Sequence, residues 1–319
     1  MPKGLDAMQD DMVDPDIRRF VDAIAAAYAR HGAPANVAAR RQIAEQVRQP
    51  WREGGPIMAE SVDLDMGGIR LRLHRPVTGG KLPVMLYIHG GGWVLFSVDT
   101  HDRLMREYAA RAGIAVIGID YSLAPENKFP VALEECAAAL DWIAAQADAL
   151  DFDASRVLIG GDSAGANLSV ATCLLQRQRG RPLPAGMLLN YGAFAPEHLP
   201  SYARFGEGYS LESGEMDAFW ADYVDDPGQL ADPLVVPARA ELAGLPPAFL
   251  AIAECDILAD CNYAFAKRLA AAGVPVEAAT YRGATHSFLE AVSIAPLAQR
   301  AFDEQAAWIA ATVSDGRAL

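Results

Sequence analysis

The segment Gly161-Asp162-Ser163-Ala164-Gly165 places a serine between small residues. It follows the apolar run 156–159 and opens a helical run over 166–178. So tight a turn from strand to helix forces its middle residue into a strained backbone, and the glycines two before and two after let it fit. The Ser163 hydroxyl then stands at the end of a sheet, above a helix N-terminus, where it can attack an acyl carbon. A glycine-rich turn without chemistry is the bland alternative; the strand and helix on either side favour the nucleophile. A second signal is His89-Gly90-Gly91-Gly92-Trp93, directly after the apolar run 84–88. Acyl transfer passes through an oxyanion, and backbone N–H groups aimed at it are strong stabilisers. Consecutive glycines turn their amides inward with no Cβ in the way. A phosphate-cradling loop would need GxGxxG or GxxxxGK[ST] at a helix start, and neither is present.

An elbow of this kind resembles that of α/β-hydrolases, in which the acid and then the histidine follow the serine along the chain. Two histidines remain after Ser163. His198 sits in an irregular stretch, whereas His286 follows the strand-like run 276–280, where such a sheet delivers catalytic groups. His286 is therefore the expected base, and His89 is expected to brace its loop. The run 249–253 leads into Glu254-Cys255-Asp256. Asp256 lies just past that strand and is the expected acid, fixing the imidazole tautomer and stabilising the imidazolium. Asp260 is the runner-up, although it reads as the N-cap of the next helix.

Alternating elements are needed to position these groups, and the sequence supplies them. Asp14-Pro15 reads as a helix cap with proline at the first helical position, and a second helix is expected over 37–47, stopping near Pro50-Trp51. Apolar alternation on both sides of Met66-Gly67-Gly68 reads as a hairpin. Strand-like runs at 84–88, 114–120, 156–159, 187–190, 249–253 and 276–280 then alternate with helical segments at 102–111, 131–147, 164–179, 261–272 and 298–313. That pattern predicts an α/β fold with a mostly parallel sheet covered on both faces. Residues 193–245 are too long for an ordinary connection and read as an insertion over one end of the sheet. The expected division is 1–55 as an N-terminal helical cap segment and 56–319 as a catalytic domain carrying that insertion.

The 41 acidic residues against 27 basic ones give a formal charge of −14, a field that disfavours nucleic acid and anionic membrane surfaces as partners. The acidic N-terminus lacks the apolar stretch of a secretory signal, and no apolar run approaches membrane-spanning length. The four cysteines include no CxxC pair and no metal-ligand spacing, although Cys255 and Cys261 could be close in space. The expectation is a reduced, cytoplasmic protein with no membrane insertion and no metal.

Taken together, HGGGW at 89–93, DYSLAPE at 120–126, GDSAG at 161–165, DIL at 256–258 and HSF at 286–288 resemble the hormone-sensitive-lipase-like esterases. The resemblance covers about residues 55–315. It implies an α/β-hydrolase fold with an eight-stranded sheet, flanking helices and a helical cap. It also implies an oxyanion hole from the amides of Gly91, Gly92 and Ala164, no cofactor, short acyl esters as substrates and a homodimer. In such proteins 120–126 braces the oxyanion loop and the nucleophile turn. Ile257 stands where the family commonly has proline, Cys255, Ser287 and Ala166 where it commonly has glycine; none removes a catalytic atom. Trp93, Phe219, Trp220 and Tyr223 are candidate liners of the substrate pocket, or ordinary core of the cap. An amidase, a formamidase or a lactonase would use the same triad, since leaving-group choice lives in pocket shape. A small-molecule receptor on this scaffold is expected to have lost a triad member, and here all three are present.

Overall fold

The computed structural model describes residues 12–314; the acidic start and its reading as leader-free fall on residues 1–11, outside that range. Two helices come first, α1 (Pro15–Ala29) and α2 (Val37–Arg52). Asp14 caps α1, its Oδ1 accepting the amides of Asp16 and Ile17 at 2.9 and 3.2 Å. As expected, α2 stops beside Pro50-Trp51, at Arg52, with Pro50 inside its last turn. A proline in the last turn forfeits only one helical hydrogen bond, and Trp51 beyond it packs edge-on against Phe20 of α1 at 4.7 Å.

The chain then builds β1 (Glu60–Met66), β2 (Ile69–Arg75), β3 (Leu82–Ile88), α3 (Asp102–Ala112), β4 (Ala115–Ile119), α4 (Val131–Gln146), β5 (Phe152–Asp162), α5 (Ala164–Gln178) and β6 (Met187–Asn190). The insertion follows, with α6 (Pro200–Phe205), α7 (Ser213–Tyr223) and two 3₁₀ turns. The chain returns through β7 (Ala248–Cys255), α8 (Ala259–Ala271), β8 (Val276–Thr285), a 3₁₀ turn (Phe288–Ser293) and α9 (Pro296–Ser314). The eight strands form one sheet in the order β1-β2-β4-β3-β5-β6-β7-β8. The pairings of β2 with β1 and β4 are antiparallel, and the rest are parallel.

Strand order fixes the layers. Passing from β3 to β4 moves one way along the sheet, and every later step moves the other way. Right-handed crossovers then put α3 on one face and α4, α5 and α8 on the other. Accordingly α3 packs against α9, and α4 against α5. Strands covered on both faces should be apolar along their length, and β4 is buried throughout. The helices α1 and α2 pack on each other and on the 3₁₀ turn Phe288–Ser293 that follows His286, which brings the N-terminal segment to the end of the sheet where Ser163 emerges.

Candidate functional site

Ser163 is the hinge between β5 and α5, with φ 54° and ψ −117°, a backbone state that non-glycine residues rarely hold. The surroundings fix it there. Its amide donates to the Asn190 carbonyl at the end of β6 (2.9 Å), and its own carbonyl accepts the Asn167 and Ala193 amides. A Cβ at Gly161 or at Gly165 would fall on the Ile88 carbonyl oxygen of β3, so this elbow closes only with glycine at both positions.

β8 ends one residue before His286, and β7 ends one residue before Asp256. Asp256 Oδ2 lies 2.7 Å from His286 Nδ1, and His286 Nε2 lies 3.0 Å from Ser163 Oγ. The other Asp256 oxygen accepts the Leu258 amide at 3.0 Å, which holds the carboxylate in plane for the imidazole. With Nδ1–H donating to Asp256, Nε2 is left to receive the serine proton. Burial disfavours the imidazolium, but the charge and hydrogen bond of Asp256 outweigh it and hold the His286 pKa above the ordinary histidine value. The Tyr191 ring meets the imidazole edge-on at 4.9 Å and restrains its tilt.

The runners-up are engaged elsewhere. His198 pairs with Asp217 at 2.7 Å in the exposed insertion and stacks on Tyr202. Asp260 is not the N-cap of α8, which starts one residue earlier; it lies in the first turn and its Oδ2 accepts the Ser201 amide at 2.9 Å, tying α6 of the insertion to the sheet. All four cysteines are free and buried, so the Cys255–Cys261 pairing is not formed.

Gly91 and Gly92 of the loop 89–93 border the same cavity as Ser163. Gly91 and Gly92 have φ of 104° and 60°. Among the described residues the N–H groups of Gly91, Gly92 and Ala164 donate to no acceptor, the condition an oxyanion hole requires. His89 braces this loop: Nδ1 meets the Gly90 carbonyl at 2.7 Å and the ring stacks on Tyr121 at 4.3 Å. Burial, aided by neighbouring His101, pushes its pKa down to about 4, so it stays neutral. Tyr121 donates to the His89 carbonyl (3.0 Å), and Ala124 N–H donates to the Trp93 carbonyl (2.9 Å), so 120–126 props the loop from behind.

A cavity of about 570 Å³ opens above Ser163 and His286. Of the four expected aromatic liners, Phe219 borders it. Trp93, Trp220 and Tyr223 do not. Trp93 stacks on Tyr223 at 4.3 Å and lies 4.6 Å from Trp220, all three buried where α7 of the insertion meets the 89–93 loop. Much of the remaining wall comes from α1 and α2, including Ile24, Tyr28, Arg40 and Arg48, none of which the sequence reading placed at a pocket. Amphipathic spacing shows that these helices bury a face but not that the face looks onto a cavity. Among the described residues no group of three or more His, Cys, Asp or Glu could hold a metal ion, and no helix is long and apolar enough to cross a membrane.

A family profile described as the alpha/beta hydrolase fold matches residues 85–290. The chain belongs to the α/β-hydrolase family. This hydrolase is 38% identical to carboxylesterase NlhH of Mycobacterium tuberculosis over 233 residues, 71% of this chain and 72% of that protein. It is 34% identical to an ethyl acetate hydrolase of Pseudomonas putida over 269 residues, 79% and 85% of the two. Among solved structures, an ester hydrolase from the metagenome of Lake Arreo, complexed with a bipyridine phosphonate derivative, superposes with a TM-score of 0.89. That match has 34% identity and covers 95% of this chain and 100% of the other. The thermophilic carboxylesterase EstE1, cloned from a metagenomic library, gives 0.84 at 34% identity, covering 88% and 98%. Within the α/β-hydrolases, this chain falls among the hormone-sensitive-lipase-like esterases.

Proposed function

We propose that this carboxylic ester hydrolase cleaves small acyl esters with Ser163 as nucleophile, His286 as base and Asp256 as its orienting acid. The observation that carries the reading is His286 bridging Asp256 and Ser163 at 2.7 and 3.0 Å, at the floor of a cavity large enough for a small ester. His286 takes the Ser163 proton as Oγ attacks the acyl carbon, and the amides of Gly91, Gly92 and Ala164 receive the oxyanion. The imidazolium returns its proton to the departing alkoxide. His286 then deprotonates a water that releases the acid and frees Ser163.

The helices of the N-terminal segment and the insertion act together as a cap that closes the pocket. The four buried thiols suit a reducing, cytoplasmic setting, and a homodimer is the assembly that goes with the resemblance, to be checked by light scattering. The test of function is hydrolysis of p-nitrophenyl acetate, butyrate and octanoate, with an anilide analogue, by wild type and Ser163→Ala. Ester turnover lost in the variant is expected. Turnover that survives in a folded Ser163→Ala would remove the nucleophile, and faster anilide than ester cleavage would make the enzyme an amidase.

A further inference from the structure

Arg48, on α2, is only 6% exposed, yet it borders the same cavity as Ser163 and His286. A buried guanidinium needs a partner for its charge and acceptors for its N–H groups. The charge is met. Nε lies 2.8 Å from Oε2 of Glu290, buried in the 3₁₀ turn after His286, and the guanidinium carbon lies 5.0 Å from the centre of the Phe96 ring. The donors are not: neither Nε nor Nη1 makes an aligned hydrogen bond among the described residues. Those two nitrogens are enclosed; Nη2 is not, and it too makes no hydrogen bond among the described residues, so on a residue that borders the cavity it is the donor an acceptor on a bound molecule would meet.

The charges around it decide what kind of acceptor. Arg40, the other guanidinium of the wall, is 2.9 Å from Glu215 and lies over the Phe219 ring. Both arginines are thus ion-paired, while Asp162, Glu212 and Glu215 also border the cavity. A carboxylate entering here would lose its hydration and find no unpaired positive charge. A carbonyl oxygen needs only the N–H groups, and a guanidinium offers them without a change of charge. We propose that Arg48 forms a specificity subsite for a neutral oxygen acceptor on the substrate, set apart from the scissile ester. The preferred substrates are then oxygen-bearing esters, such as keto esters or diesters, ahead of plain alkanoates. This rests on the serine-esterase reading above.

Two pairs of esters test it, one for each side of the scissile bond. On the acyl side, p-nitrophenyl levulinate is compared with p-nitrophenyl isocaproate, which has a methyl-bearing carbon in place of the ketone. On the alcohol side, the butyrate of 4-hydroxy-2-butanone is compared with isoamyl butyrate. Each kcat/KM is divided by the rate of hydroxide hydrolysis, and the readout is the ratio within a pair for one protein, so any loss of folded enzyme cancels. In wild type the ketone member of at least one pair is expected to lead by about tenfold or more, the discrimination a site with an open charged donor supports. In Arg48→Met/Glu290→Gln, which removes the ion pair without stranding a buried charge, that lead is expected to vanish. Glu290→Gln alone leaves Arg48 unpaired and is expected to raise turnover of p-nitrophenyl hemiglutarate relative to levulinate. Ratios near one for both pairs in wild type would overturn the proposal, as would a lead that persists in the double variant. Preference of wild type for the hemiglutarate would overturn the neutral acceptor. Ester turnover insensitive to Ser163→Ala would instead strike the underlying reading.

Discussion

Replacing Gly92 by alanine tests the oxyanion loop at a place where the structure allows little escape. Gly92 has φ 60°, a left-handed conformation that costs a residue with a Cβ about 1–2 kcal/mol. The new methyl would also fall on the Phe219 ring, at its attachment carbon and both adjacent ring carbons. That ring is 4% exposed and lies under the Arg40 guanidinium at 4.7 Å, so it has little room to swing away. The loop must yield instead, and its amide leaves the position facing Ser163. Losing one such donor costs ~2.7–4 kcal/mol of barrier, or about 10²–10³ in kcat. The loss is expected in kcat rather than KM, because the donor acts on charge that develops only in the transition state. Steady-state kinetics on p-nitrophenyl butyrate measures it, and circular dichroism melting separates it from unfolding. In a Phe219→Ala background the ring is gone, and Gly92→Ala is expected to cost markedly less. A Gly92→Ala enzyme within about threefold of wild-type kcat would refute the assignment of this amide, given the size that donor loss should have. An equal cost in both backgrounds would refute the steric argument.

Other expectations follow from the same geometry. Ser163→Ala and Asp256→Asn should each lower kcat by about 10⁴ or more while the fold melts as wild type, the asparagine by holding His286 in the wrong tautomer. The acid limb of the kcat/KM profile should fall above pH 6.5, because Asp256 raises the His286 pKa against the pull of burial. Asp256→Asn leaves burial opposed only by the charges of Asp162 and Glu215 and should move that limb to lower pH, as a pH series on p-nitrophenyl acetate would show. The same shift makes His286 a stabilising group whose contribution is complete below the unfolded-state pKa and is lost as pH rises through the higher folded value, readable in urea titrations. Tyr223→Phe should leave stability unchanged or raise it, since its buried hydroxyl has no hydrogen-bond partner among the described residues, and should leave the acyl-chain profile unchanged. Phe219→Leu should shift that profile, because Phe219 borders the cavity and Tyr223 does not.

The reactive groups were legible because each is announced by its neighbours in the chain. Ser163 carries small residues on both sides, Asp256 follows an apolar run that forms a buried strand, and His286 follows a strand-like run that lies partly exposed at the edge of the sheet. The hairpin, the parallel strands and the covering helices were legible for the same reason, since periodicity and turn residues are local. The insertion and the N-terminal helices behaved differently. Trp93, Trp220 and Tyr223 are large and aromatic, and sequence offers nothing to separate a ring that lines a cavity from one buried away from it. Only packing shows that Trp93 stacks on Tyr223 and packs against Trp220 while Phe219, as buried as they are, borders the cavity. Arg48 was invisible for the opposite reason. On an amphipathic helix an arginine reads as a solvated side chain, and its burial depends on Glu290, which lies more than two hundred residues away.

The two glycine motifs are also less separate than they look in sequence. Asp162, in GDSAG, accepts hydrogen bonds from Tyr87 of β3 at 2.9 Å and from the Gly90 amide of HGGGW at 3.1 Å, with His101 Nε2 at 3.3 Å. Burial alone would favour its neutral form, yet the facing His101 and the Tyr87 hydroxyl hold its pKa below the ordinary carboxylate value, so it stays charged. In the other direction, the Ile88 carbonyl just before HGGGW occupies the space that side chains at Gly161 and Gly165 would need. The proposed nucleophile and the proposed oxyanion donors are therefore set by one another. A displacement of the 89–93 loop is felt at Ser163 through Ile88, and a displacement of the elbow is felt at the Gly90 amide through Asp162. Such reciprocal contacts hold a strained serine and a row of open amides in mutual register before any substrate arrives, which is the preorganisation that electrostatic stabilisation of an oxyanion depends on.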